Sequence, residues 1–518
     1  MLVNDFLQHS AERSPDKIAL ICDGQRLTYA HLEEQTNRLA HGLLELGIRR
    51  GDRVAIWLPN SVETVVAIFA ILKAGATFTV VNPTTKASKL AFILNNCAAR
   101  GLFAPGRLGE QAAQLFDTVP SLSLAVLCGK SPPHSHAHTI PFPQLLDTNS
   151  PTRPPCPTID VDLACLIYTS GSTGDPKGVM STHANMAFAA SSIIQYLENV
   201  PDDIVINVLP LSFDYGLYQL MMVFKFGGTL VLERSFTYPA AVLKRIEQER
   251  VTGLPGVPTL FAVLLQMDLT KFDLSSLRYL TNTAAALPVE HIQRLRDAFP
   301  WARLYSMYGL TECKRTLYLP PEELDRRPGS VGIAIPGTEV WIEDDDGNKL
   351  GPGKVGELIV RGSHVMQGYW NNPEATARWY RPGRYPAERL LCTGDLFKMD
   401  EEGFLYFVSR KDDIIKSRGE KIAPKEVESV LYQLPGIVEA AVIGVPDELL
   451  GQAVKAFVVC GEGHHLTEKE VLRHCAQHLE DFMMPKQVEF RDSLPKTSSG
   501  KIRSAALKTS EVSETSEV

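Results

Sequence analysis

The run Leu163-Ala164-Cys165-Leu166-Ile167-Tyr168 feeds directly into Thr169-Ser170-Gly171-Ser172-Thr173-Gly174-Asp175-Pro176-Lys177-Gly178, and this junction constrains the chain more than any other stretch. The apolar run has the length and composition of a buried strand. The ten residues after it hold four hydroxyls, three glycines and one lysine. Glycine lets a backbone bend tightly and bring its N–H groups against a ligand, and hydroxyls donate further hydrogen bonds. A core strand ending in such a loop is built to wrap phosphate oxygens. The order of residues does not fit Gly-x-x-x-x-Gly-Lys-Ser/Thr, which excludes the common nucleoside-triphosphatase loop. Taken by itself, the segment also reads as a polar surface loop.

The surrounding pattern alternates strands with helices. Leu32, Leu39, Leu43 and Leu46 recur at helical spacing within 28–46, and Gly47 can end that helix. A strand over 54–58, a helix capped by Ser61 and running to about Ala74, and a strand over 77–81 follow. Further strands are predicted over 204–209 and 229–232, and helices over 215–226, 240–248 and 254–266. Such alternation implies parallel sheets covered by helices. Residues 329–410 change to short strands between glycine-rich turns, the pattern of a distorted barrel. From about 413 a βαβ-like pattern resumes, with helices over 424–433 and 467–479 and strands over 437–445 and 454–459. At 518 residues the chain is too long for one core. Its net charge of -8 gives no support to a nucleic-acid surface. Nine cysteines without paired spacing read as free thiols of a reducing compartment. The start, Met1 to Phe6, lacks the basic region and apolar core of a signal peptide, and the most apolar helix candidate, 62–74, is too short to span a bilayer. A cytoplasmic protein is expected. The alternating histidines of 134–138 are read as a solvated loop rather than a metal site.

The 169–178 loop resembles the signature of the adenylate-forming superfamily, which covers acyl-CoA synthetases, luciferases and nonribosomal-peptide adenylation domains. Four further stretches match that superfamily in order: Tyr308-Gly309-Leu310-Thr311-Glu312, Thr393-Gly394-Asp395 with Arg410, the segment 415–428, and Pro495-Lys496-Thr497-Ser498-Ser499-Gly500-Lys501. The resemblance implies an α/β fold: a large N-terminal domain of stacked α/β subdomains with a distorted β-barrel, residues 1–411, and a small mobile α+β C-terminal domain, residues 412–518. It implies that Thr169, Ser170, Gly171, Ser172, Thr173, Gly174 and Lys177 hold the phosphates of ATP. Thr311 would contact the α-phosphate, and Glu312 would bind Mg2+, a hard cation that takes oxygen ligands. Asp395 and Arg410 match the ribose contacts, although Ser409 stands where the superfamily usually has glycine. The adenine would lie against Asn282, Thr283 and Ala284 and against Tyr308. Asp412 falls on the hinge position, Gly419 on the loop that serves thiol attack, and Lys501 on the catalytic lysine. The implied chemistry is attack of a carboxylate on the α-phosphate, loss of pyrophosphate, and displacement of AMP by a thiol, with the small domain swinging about Asp412 between the two steps.

Leu209-Pro210-Leu211-Ser212-Phe213-Asp214-Tyr215-Gly216 bears on the substrate. Amino-acid-activating members of the superfamily have Phe-Asp here, the aspartate holding the α-amino group. An ammonium in a pocket needs a fixed counter-charge. Asp214 could equally cap the helix that follows. Met307 to Arg315 resembles stand-alone L-prolyl-AMP ligases, which implies a side-chain pocket lined or supported by Tyr215, Tyr218, Met307 and Arg315. Only 17 residues follow Lys501, so the acceptor is expected to be a separate molecule, a phosphopantetheine carrier protein or free CoA. The leading expectation is therefore an amino-acid ligase, with L-proline first, that loads a carrier protein in secondary-metabolite biosynthesis. An acyl-CoA ligase for a non-amino acid is the alternative, and a non-catalytic nucleotide-binding relative is a third.

Overall fold

The structure is a computed structural model that describes residues 1–130, 138–170, 176–283, 287–417, 420–447, 450–461, 463–496, 502–503 and 506–507. Two large sheets dominate. A nine-stranded sheet has a parallel centre running Arg303–Leu310, Tyr279–Asn282, Gly253–Gly256, Ile204–Asn207, Thr229–Leu232 and Ile18–Cys22. Antiparallel strands close its edges, Lys314–Leu319 and Ile333–Ala334 on one side and Gln25–Thr28 on the other. A seven-stranded sheet is parallel throughout, except that Pro176–Thr182 returns antiparallel beside Leu163–Ser170. Strands buried on both faces need continuous apolar runs, which is what Leu163 to Ile167 and Thr229 to Leu232 supply.

One apolar core joins the two sheets. Helix Val62–Lys73 lies within it, buried from Thr64 to Lys73. Helix Asp214–Phe226 is buried at every position except Asp214 and Lys225. A helix that is apolar all round belongs inside a large domain rather than on its surface. The one charge this burial traps, Lys73, is paired with Glu33 at 2.7 Å and hydrogen-bonded to Thr36 and Asn37. Burial, against the pull of Glu33, brings its ammonium down to about 8. Ser61 caps the start of that helix by accepting from the Thr64 amide.

Where the sequence predicts a distorted barrel, five antiparallel strands, Glu339–Glu343, Val355–Arg361, Tyr380–Pro382, Arg389–Met399 and Leu405–Arg410, form a third sheet with its own core. Bridges Gly332–Leu405 and Val179–Tyr369 tie it to the other two sheets. The fourth sheet, within 415–490, belongs to a smaller domain with separate apolar clusters.

One expectation changes. The predicted helix 254–266 is strand Gly253–Gly256 followed by helix Pro258–Leu264. Pro255 and Gly256 break helical geometry, and both neighbouring strands already offer parallel ladders. In the small domain, Ile437–Asp447 and Gly451–Cys460 pair antiparallel; the parallel crossover comes later, from Gly451–Cys460 through helix Glu468–His478 to Gln487–Phe490. No helix of the described residues is long and apolar enough to cross a membrane. All nine cysteines are free. The histidine-rich stretch at 134–137 lies outside the described residues, as do seven other short segments and the C-terminus.

Candidate active site

Most of the sequence-predicted residues that are described lie near the ends of parallel strands, the usual place for a ligand in an α/β sheet. Thr169 and Lys177 face each other across the hairpin made by Leu163–Ser170 and Pro176–Thr182. Gly171, Ser172, Thr173 and Gly174 fall outside the described residues, and for Ser170 only the backbone is described. Lys177 Nζ sits 5.7 Å from the centre of the Tyr369 ring. Tyr369 Oη donates to Glu312 Oε1 at 2.7 Å. Burial, then the Glu312 charge, pushes that phenol well above its ordinary range, so it remains a donor. The hairpin lysine and the motif carboxylate therefore meet on one tyrosine that sequence reasoning missed. No local pattern marks Tyr369, because the contact spans 57 residues.

Strand Arg303–Leu310 carries Tyr308 to the same place. Tyr308 Oη donates to Asp395 Oδ2 at 2.6 Å, and its ring lies edge-on to Phe397 with centroids 4.9 Å apart. Arg410 Nε lies 3.1 Å from Asp395 Oδ1, with half its side chain exposed. Asp395 and Arg410 are cross-strand partners, which brings these two expected ribose residues side by side. Asn282 and Thr283 are buried at the end of the neighbouring strand, and Ala284 lies outside the described residues. Thr311 and Glu312 form the turn between Arg303–Leu310 and Lys314–Leu319. Among the described residues no three His, Cys, Asp or Glu side chains converge as a metal site.

That turn is tight. Lys314 takes a left-handed backbone, φ 55°, and the ladder shifts register between Tyr308 and Gly309. A Cβ at Gly309 would collide with the Lys314 carbonyl. A buried non-glycine residue at positive φ is strained, and such strain persists only where the surroundings impose it. Here the imposition is electrostatic. Lys314 Nζ pairs with Asp214 Oδ1 at 2.6 Å, and the lysine side chain is fully buried. Asp214 is not the helix cap; Phe213 holds that position without a side-chain cap, and Asp214 opens the first turn. Lys314 is a second residue that sequence reasoning passed over, although it lies inside the quoted 307–315 stretch.

Around this pair, Tyr215 Oη bonds the Thr281 carbonyl and hydroxyl. Arg315 stacks on Tyr215 and Tyr218, and Met307 receives the Tyr196 hydroxyl on its sulfur at 2.9 Å. His364 is buried behind Lys314, stacked on Phe188; burial first, then the Lys314 charge, brings its imidazole down to about 4. Asp412 is exposed just past the end of strand Leu405–Arg410, 3.8 Å from Arg378. Gly419 and Lys501 lie outside the described residues.

Comparisons with known proteins identify the family. The profile of the AMP-binding enzyme family matches residues 7–370, and that of its C-terminal domain matches residues 426–501. A long-chain-fatty-acid–CoA ligase of Salmonella typhimurium is 33% identical over 531 residues, covering 96% of this chain and 92% of that protein. A feruloyl-CoA synthase of Amycolatopsis is 36% identical over 496 residues, covering 95% of each. A crystal structure of an anthranilate CoA ligase in complex with anthranoyl-AMP superposes with a TM-score of 0.92 at 27% identity, covering 100% of this chain and 98% of that one. With motif order and two successive family profiles in agreement, the chain belongs to the AMP-binding enzyme family of adenylate-forming enzymes.

Proposed function

We propose that this chain is an AMP-forming ligase that joins a carboxylic acid lacking an α-amino group to CoA. The observation that carries the reading is the Asp214–Lys314 ion pair. An aspartate meant for a substrate ammonium must be free to neutralise it; this one is already matched by a buried lysine of its own chain. Displacing that lysine would leave a buried charge uncompensated, a cost of about 3–5 kcal/mol. The relatives named above, all called CoA ligases or synthases, support the same acceptor. The amino-acid and carrier-protein reading, with proline as substrate, has no such support.

In the proposed mechanism ATP lies with its triphosphate against Thr169, Ser170 and Lys177, and its ribose hydroxyls donate to Asp395, which Tyr308 and Arg410 hold in place. Glu312 fits a Mg2+ site: it makes no ion pair with any described lysine or arginine, and Tyr369 steers one of its oxygens. Bound there, Mg2+ would lower the repulsion between the incoming carboxylate and the polyphosphate. The chain itself has little covalent work in such a transfer, so catalysis is positioning and stabilisation of developing charge. Lys501 would bridge the acid and the α-phosphate from the C-terminal domain. A swing about Asp412 would then exchange it for the Gly419 segment while thiol attack proceeds.

The test is ATP–pyrophosphate exchange across fatty, aromatic and amino acids. Exchange is expected with an acid that has no amine and with no proteinogenic amino acid, and Lys501→Ala is expected to lower it at least about 100-fold. Exchange confined to L-proline or another amino acid would refute the reading.

A further inference from the structure

We propose that the acid activated here carries a second carboxylate, received by Arg315 and Tyr218 at the inner end of the acyl site. The proposal rests on the ligase reading above and names its substrate class.

Arg315 is only 3% exposed, yet its Nε and Nη1 are buried without a hydrogen-bond partner among the described residues. Its guanidinium carbon lies 4.7 Å from the centre of the Tyr215 ring and 5.6 Å from that of Tyr218. Tyr218 is itself fully buried, and its hydroxyl likewise has no partner among the described residues. Burial, then the Asp214 charge, holds that phenol protonated, so it is a donor in search of an acceptor. Buried polar groups are almost always satisfied, and an arginine is seldom buried unless paired. Two such exceptions on facing elements, strand Lys314–Leu319 and helix Asp214–Phe226, point at one absent acceptor.

The groups that could have served are spent elsewhere. Asp214 is held by Lys314, whose Nζ is also 5.3 Å from the Tyr218 ring centre. The Tyr215 hydroxyl is committed to Thr281. Two buried cations, Lys314 and Arg315, therefore share the Tyr218 ring, and Asp214 pairs with Lys314. Ring stacking shields the guanidinium faces but leaves its in-plane N–H groups unmet. A carboxylate supplies both what the charge lacks and what the donors lack, whereas an ammonium would add a third cation. The strand bearing Arg315 pairs with the strand bearing Tyr308 and Gly309, so this acceptor site adjoins the adenylation motif.

The experiment uses the full chain with ATP, Mg2+ and CoA, and follows AMP release. The probes are α,ω-dicarboxylic acids of increasing length and phthalate-type aromatic diacids, each beside the monoacid of matched skeleton. The wild type is expected to favour the diacid at its best length by about 100-fold in kcat/KM. Arg315→Met is expected to cut that ratio about 100-fold, mainly through KM for the diacid. Tyr218→Phe, which keeps the ring and so the packing, is expected to cut it several-fold. A wild type that prefers the monoacid at every length and shape overturns the proposal, and so does an unchanged ratio in both variants. AMP release with monoacids alone would leave the ligase reading standing without this one; no release with any acid would end both.

Discussion

At the scale of single residues, the account turns on Lys314. Its side chain reaches Asp214 across a sequence separation of 100 residues, from a backbone that no local preference would choose. Asp214 could be singled out from its neighbours Phe213 and Tyr215, because an acid at a helix start announces either a cap or a counter-ion. Which of the two it is depends on a lysine whose proximity only the folded chain reveals. The same holds for Tyr369, which has no motif of its own. If the pair is compensated as described, Lys314→Met should destabilise the N-terminal part by about 3–5 kcal/mol, because it strands a buried carboxylate. Asp214→Asn combined with Lys314→Met should recover most of that loss. Urea unfolding followed by tryptophan fluorescence measures both, and a neutral single variant would show that the pair is not buried in effect.

At the scale of elements, period and caps carried the reading, and it failed where backbone chemistry changed within a few residues. Helix Val62–Lys73 was legible from Ser61 and a continuous apolar run, and Thr229–Leu232 from four residues suited to a buried strand. Over 254–266 the apolar residues alone suggested one helix, but Pro255-Gly256 hands the first part to the sheet. In the small domain the strands and helices were legible, and the β-α-β unit formed by Gly451–Cys460, Glu468–His478 and Gln487–Phe490 fits the expected pattern; the antiparallel pairing of Ile437–Asp447 with Gly451–Cys460 was not addressed by the sequence. Contacts between elements also set a pH dependence. His183, first residue of helix His183–Leu197, accepts the Val3 amide on Nδ1 at 3.0 Å and is 1% exposed. Burial brings its imidazole down to about 4 from 6.5, although Asp162, Asp5 and Asp160 pull upward and the N-terminal amine pulls down with burial. The unfolded chain then binds the extra proton first. Stability is complete above pH 6.5 and falls as pH drops toward 4, by about 3 kcal/mol at about 1.4 kcal/mol per unit. His183→Asn should flatten the fall of the thermal midpoint between pH 6.5 and 4.5; an equally steep fall in the variant would contradict this assignment.

At the scale of the whole molecule, the alternation of strands and helices was enough to predict stacked parallel sheets, a β-rich region and a smaller C-terminal domain. It did not yield their pairings, which depend on contacts hundreds of residues apart, such as Ile18–Cys22 beside Thr229–Leu232. The residues expected to hold the nucleotide could be named because they come in short ordered motifs, and the fold brings Tyr308, Asp395 and Arg410 together. On the acid side Asp214, Tyr215, Tyr218 and Arg315 could also be named, but not their charge balance, which depends on Lys314 reaching Asp214 from the hairpin. Two half-reactions on one acid, ending on CoA, are what this assembly is proposed to perform. The most direct measurement is the product balance, by mass spectrometry, of the purified chain with ATP, Mg2+, CoA and its preferred amine-free acid. The account predicts AMP and acyl-CoA in equal amounts, and AMP production that needs both the acid and CoA for turnover. An aminoacyl thioester formed only on a carrier protein, with CoA inert, would contradict it.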